Sequence, residues 1–305
     1  MSGTRYLRII LLFILAPLVL QAQNREGLEE RIRGFAAEFG GRVGVSAVDL
    51  GSGERISVNA DSLFPTASVI KLPVLVTLFY RLEKEPTLGD KPVLLADSVR
   101  KPGSGILQYV HGGQSLKLID VATLMIILSD NTATNYVIDQ FGREHDEKLE
   151  AVNSTMRELG LAHTKLLNKV YSFRTKKKTE EARRFGLGVS SPADMVKLLE
   201  LIARGEIVDR KSCDSMVAIL RNQQDILMAA RLLPFQDDST LWIGNKTGSL
   251  DEVKNDVGIV GCSKGRYAYA IFCSDSKDPG EQVDNRATLA VARISRLLYD
   301  HFLKR

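Results

Sequence analysis

Pro65-Thr66-Ala67-Ser68-Val69-Ile70-Lys71-Leu72-Pro73-Val74-Leu75-Val76-Thr77-Leu78-Phe79 is the stretch on which the reading of this chain turns. Small and polar residues give way to an apolar run, the pattern of a loop entering a buried helix. Ser68 then stands at a helix start, where free N–H groups and the positive end of the dipole stabilise an oxyanion. Lys71 lies three residues on, on the same helix face and within reach of the hydroxyl. An N-capping serine would give the same local pattern. Pro73 predicts a mild kink, because proline removes a helix hydrogen bond.

Two further motifs follow in order, Ser129-Asp130-Asn131 and Lys246-Thr247-Gly248-Ser249. Ser-x-x-Lys alone is a weak signal, since about one match per chain of this length arises from ordinary residue usage. Ser98/Lys101 and Ser274/Lys277 also match, but the first sits beside Pro102-Gly103 and the second in a polar turn. The ordered set of three is what sets Ser68 apart.

Around these motifs the periodicity changes twice. Residues 24–39 read as an amphipathic helix ending at Gly40-Gly41. Arg42–Leu50 alternates as a strand, and Gly51-Ser52-Gly53 turns it into a second strand over Arg55–Asn59. From Ser68 to about Asn222 the pattern is mostly helical, with loops at 85–105 and 163–190. Ser239–Thr247, Asn255–Cys262 and Tyr267–Ser274 read as strands, and Asn285–Leu303 as a closing helix. An α+β fold satisfies this order: an antiparallel sheet built from both termini, carrying an inserted all-helical lobe. The expected division is an α/β lobe at about 23–62 and 223–305 and a helical lobe at about 63–222. The cleft between them is the natural site.

Residues 1–22 read as a secretory signal, with Arg5 and Arg8, an apolar run from Ile9 to Leu20, and Leu20-Gln21-Ala22 as the cleavage site. A retained N-terminal anchor is the competing reading, although the run is short for a membrane span. A periplasmic or secreted protein with no stable membrane span after cleavage is expected. Without Arg5 and Arg8 the formal charge falls from +4 to +2, which argues against nucleic acid as a partner. Cys213, Cys262 and Cys273 make an odd count, so at least one thiol is free, and no structural disulfide is expected. His111, His145, His163 and His301 share no ligand spacing, and neither a metal nor another cofactor is expected. Eight basic residues between Lys165 and Arg184 read as a solvated loop face, or as an attractor of an anionic polymer or lipid surface. No conspicuous oligomerisation helix is present, so a monomer is expected.

The motifs, together with Pro102-Gly103-Ser104-Gly105-Ile106-Leu107, Asp120-Val121-Ala122-Thr123-Leu124-Met125, the run from Ser129 to Asn135 and Ser191-Pro192-Ala193-Asp194-Met195, resemble class A β-lactamases and penicillin-binding proteins. The resemblance covers most of residues 25–303 and implies the two-lobed serine β-lactamase/transpeptidase-like fold. It implies Ser68 as the acyl-forming nucleophile, Lys71 as its base or relay and Ser129 as donor to the leaving nitrogen. It further implies that Asn131 binds the substrate amide, that Lys246, Thr247, Gly248 and Ser249 grip the substrate carboxylate, and that the N–H groups of Ser68 and Ser249 form the oxyanion hole.

The resemblance breaks at one place. Class A enzymes carry a loop glutamate in a Glu-x-x-Leu-Asn pattern, which activates the deacylating water. Here Leu167-Asn168 fits the end of that pattern and Thr164 stands where the glutamate would be. Glu180 and Glu181 are candidate deacylation bases if the loop folds back. Leu75 and Ala122 lie where a cysteine pair is often found, and Lys254 stands as a possible helper in carboxylate binding or as a surface strand residue. The leading expectation is a β-lactam hydrolase acting through acyl-Ser68. The alternatives are a D,D-peptidase acting on D-Ala-D-Ala peptides, with slow deacylation of β-lactams, and an acylated sensor domain without turnover.

Overall fold

The computed structural model describes residues 25–172 and 178–304; the signal sequence expected at 1–22 lies outside them. A helix over residues 25–39 (α1) leads into β1 (Arg42–Asp49) and β2 (Arg55–Val58), then β3 (Phe64–Pro65) and a 3-10 turn, Ala67–Ile70. The middle of the chain holds α2 (Lys71–Lys84), β4 (Pro92–Leu94), β5 (Ser115–Lys117), α3 (Leu118–Ile127), α4 (Asn131–Ile138) and α5 (His145–Glu158). After these come β6 (Lys165–Leu166), α6 (Glu180–Phe185), β7 (Gly188–Ser190), α7 (Pro192–Arg204) and α8 (Arg210–Leu220). The chain closes with β8 (Trp242–Leu250), β9 (Val253–Cys262), β10 (Gly265–Ser274) and α9 (Arg286–Phe302).

Five strands from the two ends of the chain form one antiparallel sheet in the order β2-β1-β10-β9-β8. The N-terminal hairpin joins the C-terminal strands through β1 and β10, with Val45 opposite Ile271. This is the α+β architecture expected from strands flanking a helical middle. The strict alternation expected of β1 is absent: Val43 to Val48 are all buried. Both faces of the sheet are covered, so both side-chain sets are removed from water. On one face Val45, Ala47, Tyr269 and Ile271 pack with residues of α1 and α9; on the other Val48, Ala270 and Phe272 join the helical core.

α9 fits its place because Ala287, Val291, Ile294, Leu298 and Phe302 recur at helical spacing on its buried face. Asn285 caps it by accepting from Thr288 N–H at 3.0 Å. α2 is buried over its first nine residues, Lys71 to Phe79, and forms the axis of the helical core. Pro73 falls in its first turn, where a missing N–H removes no intrahelical bond. Leu75 and Ala122, at the positions often taken by a cysteine pair, are both fully buried in this core. All three cysteines are free.

The segment expected to be a loop at 163–190 holds a small sheet, β3-β7-β6, that ties it to the strand preceding Ser68. Strands of two or three residues carry no readable periodicity, which is why the pattern missed them. No helix among the described residues is long and apolar enough to cross a membrane.

Candidate active site

Ser68 sits in the 3-10 turn between β3 and α2, one element earlier than a helix start. Ala67 before it holds φ 45°, a left-handed conformation unusual for a residue with a Cβ. The turn packs against β8, the edge strand of the sheet. Contact is close enough that a Cβ at Gly248 would lie 2.6 Å from Thr66 O and 3.1 Å from Ser68 N. Glycine at 248 is therefore what lets the backbone of β8 approach the N–H of Ser68.

Lys71 opens α2 and is fully buried. Its Nζ donates to Ser129 O at 2.7 Å, Ser129 Oγ at 3.1 Å and Asn131 Oδ1 at 2.9 Å. Ser129 lies between α3 and α4 with φ 53°. Its neighbour Asp130 caps α4, accepting from Ala133 N–H at 2.8 Å, and also accepts from Leu107 N–H at 2.8 Å. Gly105 lets the 102–107 loop lie on this carboxylate, since a Cβ there would meet Asp130 Oδ2 at 2.2 Å. Asn131 donates through Nδ2 to Pro102 O at 2.9 Å. The Ser-Asp-Asn triplet thus joins Lys71, the α4 cap and the loop over the cleft.

Lys246 lies within β8, is fully buried, and donates to Thr247 O at 2.6 Å. Burial depresses its pKa to about 8, opposed by the negative charges of Asp225 and Asp256. Burial also drives Lys71 well below the ordinary lysine range; the positive charge of Lys246 adds to this and Asp130 opposes it. Burial thus eases loss of a proton from Lys71 beside a lysine that stays largely cationic near pH 7, an arrangement that suits proton transfer next to an anion site. Behind β8 the buried Asp256 accepts from Asn245 Nδ2, Ala229 N–H and Tyr269 OH, at 2.9–3.0 Å.

A cleft of about 1230 Å³ opens above Ser68, lined also by Asn131, Asn168, Val170, Tyr171 and Ser249. It brings Ser68, Asn131 and Ser249 together, with Lys71 and Lys246 buried beneath. Asn135, which sequence reasoning passed over, fixes the opposite wall. Its side chain accepts from Val170 N–H at 3.0 Å and donates to Val170 O at 2.8 Å. The only signal for it was its place at the end of the Ser129–Asn135 run.

The wall differs from what the Glu-x-x-Leu-Asn pattern implies. Thr164 does not face the cleft: it is buried, with Oγ1 2.8 Å from Ser190 Oγ and donating to Asp194 Oδ2 at 2.9 Å. The loop reaches the cleft with Asn168 to Ser172 instead. Neither Glu180 nor Glu181 lines it; Glu180 is exposed on α6 and Glu181 accepts from Lys165 Nζ at 2.8 Å. The fold-back that would make either a deacylation base is not present. The acids that do line the cleft, Asp251, Glu252, Asp275 and Glu281, stand on the side of the β8–β9 turn. Lys254 is buried rather than on the surface, and donates to Leu250 O at 2.6 Å. Among the described residues no group of three histidine, cysteine or acidic side chains is placed to hold a metal ion.

The profile of the beta-lactamase enzyme family matches residues 27–302. The chain belongs to that family. It is a serine β-lactamase-like hydrolase acting on cyclic amides. Beta-lactamase L2 of Stenotrophomonas maltophilia is 28% identical over 247 residues, covering 78% of this chain and 72% of the relative. A solved beta-lactamase from Sphaerobacter thermophilus superimposes with a TM-score of 0.79 at 28% identity, covering 92% of this chain and 98% of that one. A mutant of PBP-A, solved as an acyl-enzyme complex with penicillin-G, gives a TM-score of 0.76 at 27% identity over 92% and 97% of the two chains. The likeness thus spans hydrolases and a penicillin-binding protein.

Proposed function

We propose that this is an exported serine acyl-transfer enzyme whose Ser68 opens β-lactams and holds the acyl group. Ser68 Oγ attacks the lactam carbonyl while neutral Lys71 takes its proton, directly or through Ser129. The oxyanion draws on the N–H groups of Ser68 and Ser249, and loss of one such donor costs about 2.7–4 kcal/mol of transition-state stabilisation. Ser129 returns a proton to the departing ring nitrogen. Lys246, Thr247 and Ser249 hold the substrate carboxylate, and Asn131 its amide.

The observation that carries the reading is the Lys71 cluster, a buried amine within 3.1 Å of both Ser129 oxygens and Asn131 Oδ1. A second reading concerns the fate of the acyl-enzyme. The cleft wall carries Asn168, Val170 and Tyr171 in place of a carboxylate, and residues 173–177 are Phe-Arg-Thr-Lys-Lys, without an acid. A deacylating water needs a base within hydrogen-bond reach. This supports slow release and a D,D-peptidase acting on peptides that end in D-alanyl-D-alanine.

Intact-protein mass spectrometry after mixing with benzylpenicillin tests both readings. An adduct that forms within minutes, persists for hours and is absent in Ser68→Ala is the expected result. An adduct that clears within seconds while the drug is consumed would establish a rapid hydrolase. Labelling retained in Ser68→Ala would remove Ser68 as the nucleophile.

A further inference from the structure

The carboxylate end of the cleft already contains a carboxylate. Ser249 Oγ donates to Glu281 Oε1 at 2.9 Å, across 32 residues of sequence. Glu281 lines the same cavity as Ser68. Burial lowers the pKa of Lys254, and Glu281 is first among the negative charges that oppose this, ahead of Asp251 and Asp278. One acid therefore holds the Ser249 hydroxyl, a group that would receive a substrate carboxylate at this point.

The position of Glu281 is fixed by its loop. Gly280 N–H donates to Asp251 O at 3.1 Å and Ser276 N–H to Glu252 O at 3.2 Å, which staples residues 276–280 to the β8–β9 turn. The buried Asn285 donates through Nδ2 to Asp278 O at 2.6 Å and closes the loop from the other side. A segment held at both ends presents its carboxylate at little further entropic cost.

Resting on the acyl-Ser68 reading, we propose that Glu281 is a specificity-determining residue that acts as an internal substrate carboxylate, competing with the incoming one for the Ser249 hydroxyl. An acyl donor bearing a carboxylate must displace Glu281 from Ser249 and then lie beside its charge. A donor without that charge meets no such competition. The cleft therefore discriminates by the charge of the donor at this end, against anionic donors and in favour of neutral ones.

The test compares benzylpenicillin with its methyl ester, which differ only in that charge. The readout is the second-order rate constant for labelling of Ser68, followed by intact mass. Glu281→Gln is expected to raise labelling by benzylpenicillin roughly tenfold, the lower end of the worth of one charge-assisted hydrogen bond, and labelling by the ester less than about twofold. The gain should shrink at high salt and in a Ser249→Ala background, where the shared hydroxyl is gone. Glu281→Ala should reproduce the direction, and the unfolding midpoint reports a merely structural effect, which would move both substrates alike. An unchanged ratio of the two substrates in Glu281→Gln overturns this proposal alone. Absence of label on wild-type Ser68 overturns the acyl-enzyme reading, and this proposal with it.

Discussion

Lys246 gives the most demanding test of the site. Burial brings its pKa from 10.5 to about 8, a destabilisation of the ammonium by about 3 kcal/mol. Anchoring a carboxylate requires the charged form, whereas proton abstraction requires Lys71 neutral. The labelling rate should rise with pH as Lys71 loses its proton, then fall as Lys246 loses its own. With the fall centred near pH 8, half of the protein carries the anchor charge there and about one part in a hundred at pH 10. The second-order rate constant for a fluorescent penicillin should therefore drop roughly fiftyfold between pH 8 and pH 10. Arginine remains protonated across this range, so Lys246→Arg should lower the rate at pH 7 but abolish the alkaline fall. Circular dichroism at each pH separates titration from unfolding. A wild-type rate that stays level to pH 10, or a fall that survives in Lys246→Arg, would refute the assignment of the anchor charge.

Val170→Glu places a carboxylate on the wall that Asn135 holds against the cleft. It should shorten the lifetime of the benzylpenicillin adduct by about a hundredfold, within the usual contribution of a general base, and Val170→Gln should not; an unchanged lifetime in a folded Val170→Glu protein would remove this position as the water-facing one. Asp256 has its pKa raised by burial from 3.8 to about 7. Its stabilising contribution is complete below pH 3.8 and is lost as pH rises through 7, so wild type should lose up to about 4 kcal/mol relative to Asp256→Asn between pH 4 and pH 8. Chemical denaturation of both proteins across that range measures it, and parallel stability curves would contradict it.

What could be read in advance was what is local. Ser68, Lys71, Ser129 and Lys246 stand in short motifs, and the strands that frame them are long enough to show a pattern. Long-range contacts were not legible. β8 continues past Thr247 to Leu250 because it pairs with β9 as far as Val253, and no residue near Thr247 signals that. The deacylation wall was misplaced for a related reason. Leu167-Asn168 satisfied a linear pattern, but the path of the loop is set by Asp194 holding Thr164 and Asn135 holding Val170. Glu281 was passed over because its partner, Ser249, is distant in sequence.

Ala67 and Tyr171 line the cleft and Ser129 lies between α3 and α4, and each is a residue with a side chain held at positive φ, between 45° and 53°. Each such residue stores on the order of 1–3 kcal/mol. Glycine at 67 or 171 would release that strain, and with it the rigidity that keeps the Ser68 turn and the loop over the cleft in register. Selection for thermal robustness and selection for turnover therefore pull these two positions in opposite directions. A stabilised descendant of this chain that carried glycine at 67 or 171 would be expected to have given up catalytic rate to get there.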